Sequence, residues 1–285
     1  MKLVLYIKEM RPKNWLKNIF IFIPLVFSSE LFDYEKFVLT SIAFVAFCLV
    51  SSAVYVFNDI CDAEKDALHP TKRTRPIASG ELTKFKAAFF CSFLLLFGLI
   101  VAFFVKLDVF VLVVVYILVN LLYCLWLKHK PIIDCFCIAT GFVLRVFIGG
   151  ALITDGMSNW LFLTVVAMSL FMAFGKRRGE MLKTTDGETR IVLESYNLQF
   201  LNAMHFVCAG LTIVFYSLWT MYQETNMIYT VPLVIFIVCK YSLLVYSEKH
   251  SNGHGDPTTV IFSDITLIAA CLIYAVATVA LLYLN

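Results

Sequence analysis

Nine long apolar runs constrain the fold of this chain more than any other feature. They fall at 16–31, 37–57, 86–105, 109–127, 132–153, 158–175, 199–222, 227–247 and 261–284, each bounded by charged or turn-forming residues. A membrane-spanning helix needs about 20 mostly apolar residues, whereas a barrel strand alternates apolar and polar residues. The runs do not alternate. We therefore predict an all-α polytopic membrane protein with about nine transmembrane helices, built as a single domain over 1–285.

The composition supports the lipid bilayer as the main solvent. Of the 285 residues 61% are hydrophobic and 15% are charged, whereas soluble proteins carry about 25% charged residues. No basic tract interleaved with aromatic residues is present, so nucleic acid is not an expected partner. The first 15 residues lack the apolar core and cleavage site of a secretory signal peptide. The nine cysteines are scattered without a CxxC pattern, which predicts neither a disulfide framework nor a zinc site.

The positions of lysine and arginine predict how the chain is oriented. Nineteen of these residues fall in the N-terminal segment and in the even-numbered connections, and only Lys36 and Lys106 fall in the opposite set. Because cytoplasmic loops carry the excess of positive charge, we expect a cytoplasmic N-terminus and an external C-terminus in a bacterial inner membrane. The two longest cytoplasmic connections, 58–85 and 176–198, are then the candidate functional loops.

An acidic cluster closes the second apolar run. Asp59, Asp62 and Asp66 are three and four residues apart, so on a helix they share one face, and Asn58 lies one turn before Asp62. Three neighbouring carboxylates repel each other unless a cation lies between them. Mg²⁺ prefers oxygen ligands, commonly one or two carboxylates together with substrate phosphates. We predict that these four residues bind Mg²⁺; the alternative is a solvated helix end.

A basic segment follows the acidic cluster directly. It reads HPTKRTRPIASG over 69–80 and contains two prolines, a glycine and three cations, Lys72, Arg73 and Arg75. The prolines make it rigid and non-helical, and its cations can bind phosphate oxygens. A plain topology signal is the simpler alternative. Beside a metal site, however, such a segment is suited to holding a diphosphate.

These two motifs resemble the first signature of the UbiA-type intramembrane prenyltransferase superfamily. The pattern is NDxxDxxxD followed by HPxKxxRPIASG, and the resemblance covers essentially the whole chain. It implies a helical bundle with a cytoplasmic-side active site and a magnesium–diphosphate site on Asn58, Asp59, Asp62 and Asp66. It also implies roles in substrate binding for the cations of the basic segment.

The chain departs from the usual second signature of that superfamily, an aspartate-rich DxxxD after the sixth helix. Residues 174–180 read FGKRRGE, so Lys176, Arg177 and Arg178 stand where a carboxylate pair would hold a second metal, and Glu180 is the acidic residue among them. This substitution adds positive charge, as though one more anion must be bound. We include all four as substrate-binding candidates, together with Tyr196 near a cytoplasmic helix end.

Two other segments carry candidate phosphate-binding residues. RPKNWLKN over 11–18 is basic and aromatic, as suits the headgroup level, and contributes Lys13, Lys17 and Asn18. Arg145 lies midway through an apolar run, where a charge is costly and indicates function by default. Its alternative role is a buried ion pair with a carboxylate of another helix.

Together with KRRGE, the segments RPKNWLKN and LRVFIGG resemble the polyprenyl-phosphate phosphoribosyltransferase branch of the superfamily. The resemblance implies that phosphoribosyl pyrophosphate donates the sugar and a polyprenyl phosphate accepts it, with Asp59, Asp62, Asp66 and Arg145 as catalytic residues. Prenyl transfer from a polyprenyl diphosphate to an aromatic acceptor explains the acidic cluster equally well. An anion transporter is a more distant alternative. Transport sites tend toward the midplane of the membrane, whereas the charged residues of this chain are predicted to lie at one membrane face. A homo-oligomer remains open.

Overall fold

The computed structural model describes residues 2–68, 72–154, 156–182, 191–223, 225–247 and 257–284, and every regular element in these ranges is helical. The predicted all-α fold is confirmed. The α-helices are α1 (Lys2–Met10), α2 (Ile23–Phe27), α3 (Tyr34–Leu68), α4 (Lys84–Val105), α5 (Leu107–Leu125), α6 (Ile133–Gly150), α7 (Asn159–Leu182), α8 (Leu198–Tyr222), α9 (Val231–Tyr246), α10 (Pro257–Phe262) and α11 (Ile265–Tyr283). Short 3-10 helices cover Pro12–Phe22, Lys72–Thr74, Leu127–His129, Ile191–Ser195 and Asn226–Thr230.

Eight helical stretches of the described chain are long and apolar enough to cross a membrane. They correspond to the second to ninth predicted runs, so the chain is an integral membrane protein and the count of nine is approximate. The first run, 16–31, instead forms the 3-10 helix Pro12–Phe22 and the five-residue helix α2. Pro24 lies in the first turn of α2, where its missing N–H costs no hydrogen bond.

Two helices run further than the apolar runs indicate. Helix α3 continues eleven residues past the end of its run at 57, to Leu68, so the acidic cluster is helical and its residues do share one face. Helix α7 continues through KRRGE to Leu182, although the sequence places that motif at the start of a loop. The helical spacing brings Arg177 and Glu180 together, one turn apart.

The chain divides into two compact units. The first contains 1–25, 30–127 and 144–154. Its centre is a cluster of fully buried residues from the 3-10 helix Pro12–Phe22, α3, α5 and the end of α6, including Ile21, Phe47, Val113 and Ile148. A second cluster joins α3 and α4 to Ile77 of the basic segment and to Leu82 just after it, with Tyr6 and Met10 of α1 packed against it.

The second unit contains 26–29, 128–143 and 155–285. Trp219 of α8 is fully buried there, with Leu161 of α7 and Leu282 of α11 in the same cluster. Nearer the start of α8, the ring of His205 stacks on that of Phe171, with 4.3 Å between the ring centroids. Its Nε2 lies 3.2 Å from the Ser242 hydroxyl, so one buried polar side chain joins α7, α8 and α9.

Gly149 permits a close approach within the first unit, and its replacement is expected to destabilise the protein. A Cβ at this position would lie 1.9 Å from the carbonyl oxygen of Ile21, a backbone atom that cannot rotate away. Overpacking of this kind costs about 1–3 kcal/mol, and a backbone clash belongs at the upper end. Gly149→Ala should therefore lower the melting temperature in detergent. Gly210→Ala is the matched control, because nothing lies within 4 Å of its Cβ position; an equal effect of both changes contradicts the prediction.

Candidate functional site

The acidic face of α3, formed by Asp59, Asp62 and Asp66, is largely buried. Asp59 is 2% exposed and Asp66 is 4% exposed, and Asp62 is half-buried. Buried carboxylates must be paired with positive charge to be stable. A solvated helix end, the simpler interpretation of the sequence, does not describe Asp59 and Asp66.

Arg75 of the basic segment lies between two of these carboxylates. Its Nη1 donates to Asp59 Oδ1 at 3.0 Å and also to Asp66 Oδ2. Lys72 Nζ lies 3.8 Å from the other oxygen of Asp66, whereas Arg73 is exposed. The basic segment therefore folds back onto the acidic face, which places two of its three predicted phosphate-binding residues there. His69, Pro70 and Thr71 lie outside the described residues.

Asn58 is held from another helix of the same unit. Its side-chain carbonyl accepts a hydrogen bond from the Cys124 thiol of α5 at 3.3 Å. Since a carbonyl oxygen has two lone pairs, this contact orients the Asn58 oxygen without using its full acceptor capacity.

The acidic face has the donor chemistry that Mg²⁺ requires. Its available oxygen atoms are those of the carboxylates, with the Asn58 carbonyl beside them. The one Arg75 nitrogen shared by Asp59 and Asp66 shows that both carboxylates reach a single cation. Nowhere in the described ranges, however, are three His, Cys, Asp or Glu side chains grouped closely enough to hold a metal ion. The residues fit the ion by chemistry, and the three-carboxylate arrangement expected from the sequence remains a prediction.

Helix α1 and Arg11, the residue that follows it, add contacts to the acidic face that the sequence does not predict. Arg11 Nη2 donates to Asp59 Oδ2, and the guanidinium lies 5.4 Å from the centre of the Tyr55 ring. Glu9 is 1% exposed and hydrogen-bonds to the Asp59 side chain. Burial and the neighbouring Asp59 carboxylate together raise the pKa of Glu9 to about 7. No spacing pattern connects position 9 with position 59, so the sequence held no signal for this contact.

The raised pKa of Glu9 predicts how stability depends on pH. Between its ordinary pKa of 4.5 and about 7, the unfolded chain loses the Glu9 proton while the folded chain keeps it, so folding becomes less favourable as pH rises. The loss amounts to about 3 kcal/mol above pH 7. Glu9→Gln removes this titration. The melting temperatures of the variant and of the unmodified protein are measured in detergent with a chelator. The variant's value minus that of the unmodified protein should increase from pH 5 to pH 8; a difference independent of pH contradicts the expectation.

Arg145 lies in a buried polar node of the first unit. It is 5% exposed, its Nε donates to Asn18 Oδ1 at 2.9 Å, and its guanidinium lies over the rings of Phe47 and Tyr116. Asn18 in turn donates to Ser51 Oγ at 3.1 Å. Asn18 and Arg145 thus bind each other. Ser51 precedes Asp59 by eight residues of α3, about 12 Å along the helix, so the node lies well away from the acidic face.

The other two candidates of the N-terminal segment differ in exposure. Lys13 is exposed and Lys17 is half-buried. Trp15 between them donates to Ser52 Oγ at 3.0 Å, which fixes this 3-10 helix on α3. The structure therefore leaves the Lys13 side chain at the protein surface, as expected for a residue at the headgroup level.

The KRRGE motif belongs to a separate buried network in the second unit. Arg177 and Asp134 are both 0% exposed, and Arg177 Nε donates to Asp134 Oδ2. Arg177 Nη1 also contacts Glu180 Oε2 at 2.5 Å, one helical turn away. Tyr196 donates to the remaining Asp134 oxygen at 2.6 Å and accepts from the backbone N–H of Ile132.

Arg178 is also engaged within the second unit. Its Nε donates to Asn202 Oδ1 at 2.9 Å and its Nη1 to the Val245 carbonyl at 2.9 Å. Its guanidinium lies 3.7 Å from the centre of the Tyr246 ring. Much of the positive charge of KRRGE is thus used to hold α7 to its neighbours. Lys176 is half-buried, and the following residues 183–190 lie outside the described ranges.

Comparison with known protein families identifies the group to which this architecture belongs. The sequence model of the UbiA prenyltransferase family matches residues 19–256, well over half of the chain. The chain belongs to the UbiA prenyltransferase family. The resemblance inferred from NDxxDxxxD and the basic segment is confirmed.

Several curated proteins resemble the chain along most of its length. A protein of Mycolicibacterium smegmatis named decaprenyl-phosphate phosphoribosyltransferase is 32% identical over 90% of this chain and 86% of its own. A protein of the same name from Corynebacterium glutamicum is 33% identical over 98% of this chain and 86% of its own. A third, from Mycobacterium tuberculosis, is 30% identical over 90% and 87%.

Solved structures confirm the UbiA fold. A UbiA homologue from Archaeoglobus fulgidus, solved bound to GPP and Mg²⁺, aligns with a TM-score of 0.75 at 15% identity and covers 97% of this chain and 100% of its own. A structure from work on digeranylgeranylglyceryl phosphate synthase aligns with a TM-score of 0.70 at 20% identity, covering 100% and 99%. At these identities the likeness concerns the fold alone.

Proposed function

We propose that this UbiA-family protein transfers 5-phosphoribose from phosphoribosyl pyrophosphate to a polyprenyl phosphate. The products are a polyprenyl-phosphoryl-phosphoribose and diphosphate. The observation that carries the proposal is the 30–33% identity to three curated proteins named decaprenyl-phosphate phosphoribosyltransferase, over 86–87% of their own length. The acidic face with its basic segment supports it as a site for a diphosphate donor.

The donor's pyrophosphate is assigned to the acidic face of α3. Asp59, Asp62 and Asp66, with the Asn58 carbonyl, would hold Mg²⁺ there, and the ion would neutralise charge on the pyrophosphate as it leaves. Arg75 and Lys72 already lie against these carboxylates, so they can turn from Asp59 and Asp66 to phosphate oxygens with little movement. Arg73 is exposed beside them and is assigned to the donor as well.

The acceptor is assigned to the basic N-terminal segment of the same unit. With the predicted orientation, in which the N-terminus and the acidic face are toward the cytoplasm, Lys13 and Lys17 would lie at the level where a lipid phosphate meets water. Asn18 belongs to the same 3-10 helix as Lys13 and Lys17, and Arg145 donates a hydrogen bond to it. The buried node therefore helps to hold this segment in place. We assign Arg145 to positioning within this node.

The reaction then needs charge stabilisation rather than proton transfer. The bond between ribose C1 and the pyrophosphate oxygen breaks while an oxygen of the lipid phosphate bonds to C1. A phosphate monoester has its second pKa near 6 and is already ionised at neutral pH, so no general base is required. Arg75, Lys72 and Arg73 counter the charge that develops on the departing pyrophosphate, which is electrostatic catalysis combined with positioning.

A donor-choice assay tests the proposal. Purified protein in nanodiscs receives MgCl₂, ribose-labelled phosphoribosyl pyrophosphate and a polyprenyl phosphate; a parallel reaction receives geranyl diphosphate and an aromatic acid. We expect label in the lipid phase that depends on both Mg²⁺ and the lipid phosphate. Prenylated aromatic product without a labelled lipid would contradict the proposal and favour prenyl transfer, the chemistry in the family's name.

A further inference from the structure

Helix α1 holds the segment that carries Arg75 at two points. Lys8 Nζ donates to the carbonyl of Thr74 at 3.0 Å, and the N–H of Ile77 donates to Glu9 Oε1 at 3.2 Å. Arg75 lies between these two backbone contacts and itself reaches Asp59 and Asp66. Two consecutive residues of α1 therefore fix the position from which Arg75 meets the acidic face.

The end of α1 is itself fixed on α3. Ser52 Oγ donates to the Met10 carbonyl at 3.0 Å, and the Tyr6 ring packs edge-on against Phe90 of α4 at 4.8 Å. Arg11 adopts a left-handed backbone conformation with φ of 52°, which costs a non-glycine residue about 1 kcal/mol. Helix α1 is thus built into the first unit, so its contacts with the segment are more than surface attachments.

Glu9 is the buried member of this arrangement. It is 1% exposed, whereas Lys8 is exposed, and Ile77 is 6% exposed. If Glu9 lost its oxygen atoms, the buried N–H of Ile77 would lack its acceptor, and an unsatisfied buried donor costs about 1–3 kcal/mol. The segment would then relax, and Arg75 would no longer be held in position before the donor arrives.

Building on the proposed function, we propose that Glu9 is a positioning residue for the diphosphate donor. Through the Ile77 N–H it holds the 74–77 segment so that Arg75 lies where the donor's pyrophosphate meets Asp59 and Asp66. Its effect is therefore on donor binding, separate from the lipid acceptor. A residue that merely stabilised the fold would not change the two substrates' apparent affinities differently.

The test compares Glu9→Leu with Glu9→Gln in the full-length protein. Leucine removes the acceptor for the Ile77 N–H, whereas glutamine retains an acceptor oxygen of the same reach. We expect Glu9→Leu to raise KM for phosphoribosyl pyrophosphate about tenfold, with kcat and the KM for the lipid phosphate changed little. Glu9→Gln should have a KM for phosphoribosyl pyrophosphate close to that of the unmodified protein. Ile7→Ala, at a half-exposed position of the same helix, serves as the matched control.

Binding of inorganic pyrophosphate with Mg²⁺, measured by calorimetry, separates this proposal from the proposed function. Absence of binding to the unmodified protein contradicts the assigned donor site, and the role of Glu9 fails with it. Binding that Glu9→Leu leaves unchanged overturns the role of Glu9 alone. If Glu9→Leu does not fold, Glu9→Met, which has nearly the length of glutamate but no carboxylate oxygen for the Ile77 N–H, takes its place: a weaker pyrophosphate affinity supports the proposal and an unchanged one overturns it.

Discussion

Replacing Asp66 with asparagine is expected to lower the proposed phosphoribosyl transfer about a hundred- to a thousandfold, because Asp66 would supply charge at the centre of the proposed donor site. Its carboxylate is buried and lies against Arg75 and Lys72. The amide keeps the size of the side chain but removes the negative charge that would hold Mg²⁺. Losing one group that stabilises developing charge typically costs two to three orders of magnitude in kcat. Initial rates at saturating lipid phosphate provide the measurement.

Glu64→Gln is the matched control for this change. Glu64 lies two residues before Asp66 on the same helix, but it is exposed and pairs with Lys84 at 2.9 Å, away from the acidic face. Exposed pairs of this kind contribute about 0–1 kcal/mol, so we expect transfer within about twofold of the unmodified rate. Comparable losses in both variants would show that total negative charge at this end of α3 matters, rather than the acidic face.

Replacing Arg177 with methionine is expected to be the most damaging single change to stability. Arg177 and Asp134 are fully buried together, and removing one member leaves the other charge uncompensated, which costs about 3–5 kcal/mol. For a protein of this size that corresponds to a melting temperature about 6–10 °C lower. Thermal unfolding in detergent, followed by intrinsic tryptophan fluorescence, measures the shift.

The double variant Asp134→Asn with Arg177→Met tests the cause of that shift. It removes both charges of the pair, while the asparagine oxygen still accepts from Tyr196 as Asp134 Oδ1 does. We expect it to recover a large part of the lost stability, since the penalty arises from the unpaired charge. Arg73→Met is the control for loss of an exposed cation and should lie within about 0.5 kcal/mol. A double variant less stable than Arg177→Met would contradict this account.

The helical membrane fold could be predicted from the sequence, because the length of each apolar run indicates a membrane-spanning helix. Runs such as 86–105 and 199–222 match α4 and α8 within two residues at each end. The run at 16–31 differed because a short apolar stretch that contains Pro24 does not specify which kind of helix it forms. Helix α3 was placed too short because charged and amide side chains interrupt its last eleven residues, NDICDAEKDAL, and an apolar run does not register a helix that continues through them.

The candidate site was predictable where its contacts are local in sequence. Asp59, Asp62 and Asp66 share a face by helical spacing, and the basic segment that follows them folds back within twenty residues. Glu9 and Arg11 reach the same face from about fifty residues away, and no periodicity encodes such a contact. The pairing of Arg177 with Asp134 was hidden for the same reason. From the sequence alone, Arg177 is a candidate for binding phosphate, because its buried partner Asp134 lies 43 residues away in the chain.

The position of bond cleavage tests the central claim most directly. The donor is phosphoribosyl pyrophosphate labelled with ¹⁸O in the bridge between ribose C1 and phosphorus. It is incubated with the protein, Mg²⁺ and unlabelled polyprenyl phosphate, and the masses of the products are measured by mass spectrometry. Attack of the lipid phosphate on C1 predicts ¹⁸O in the released diphosphate and an unlabelled lipid-linked phosphoribose. A lipid product that retains ¹⁸O would contradict attack at ribose C1, and the absence of any lipid-linked pentose would contradict the proposed transfer as a whole.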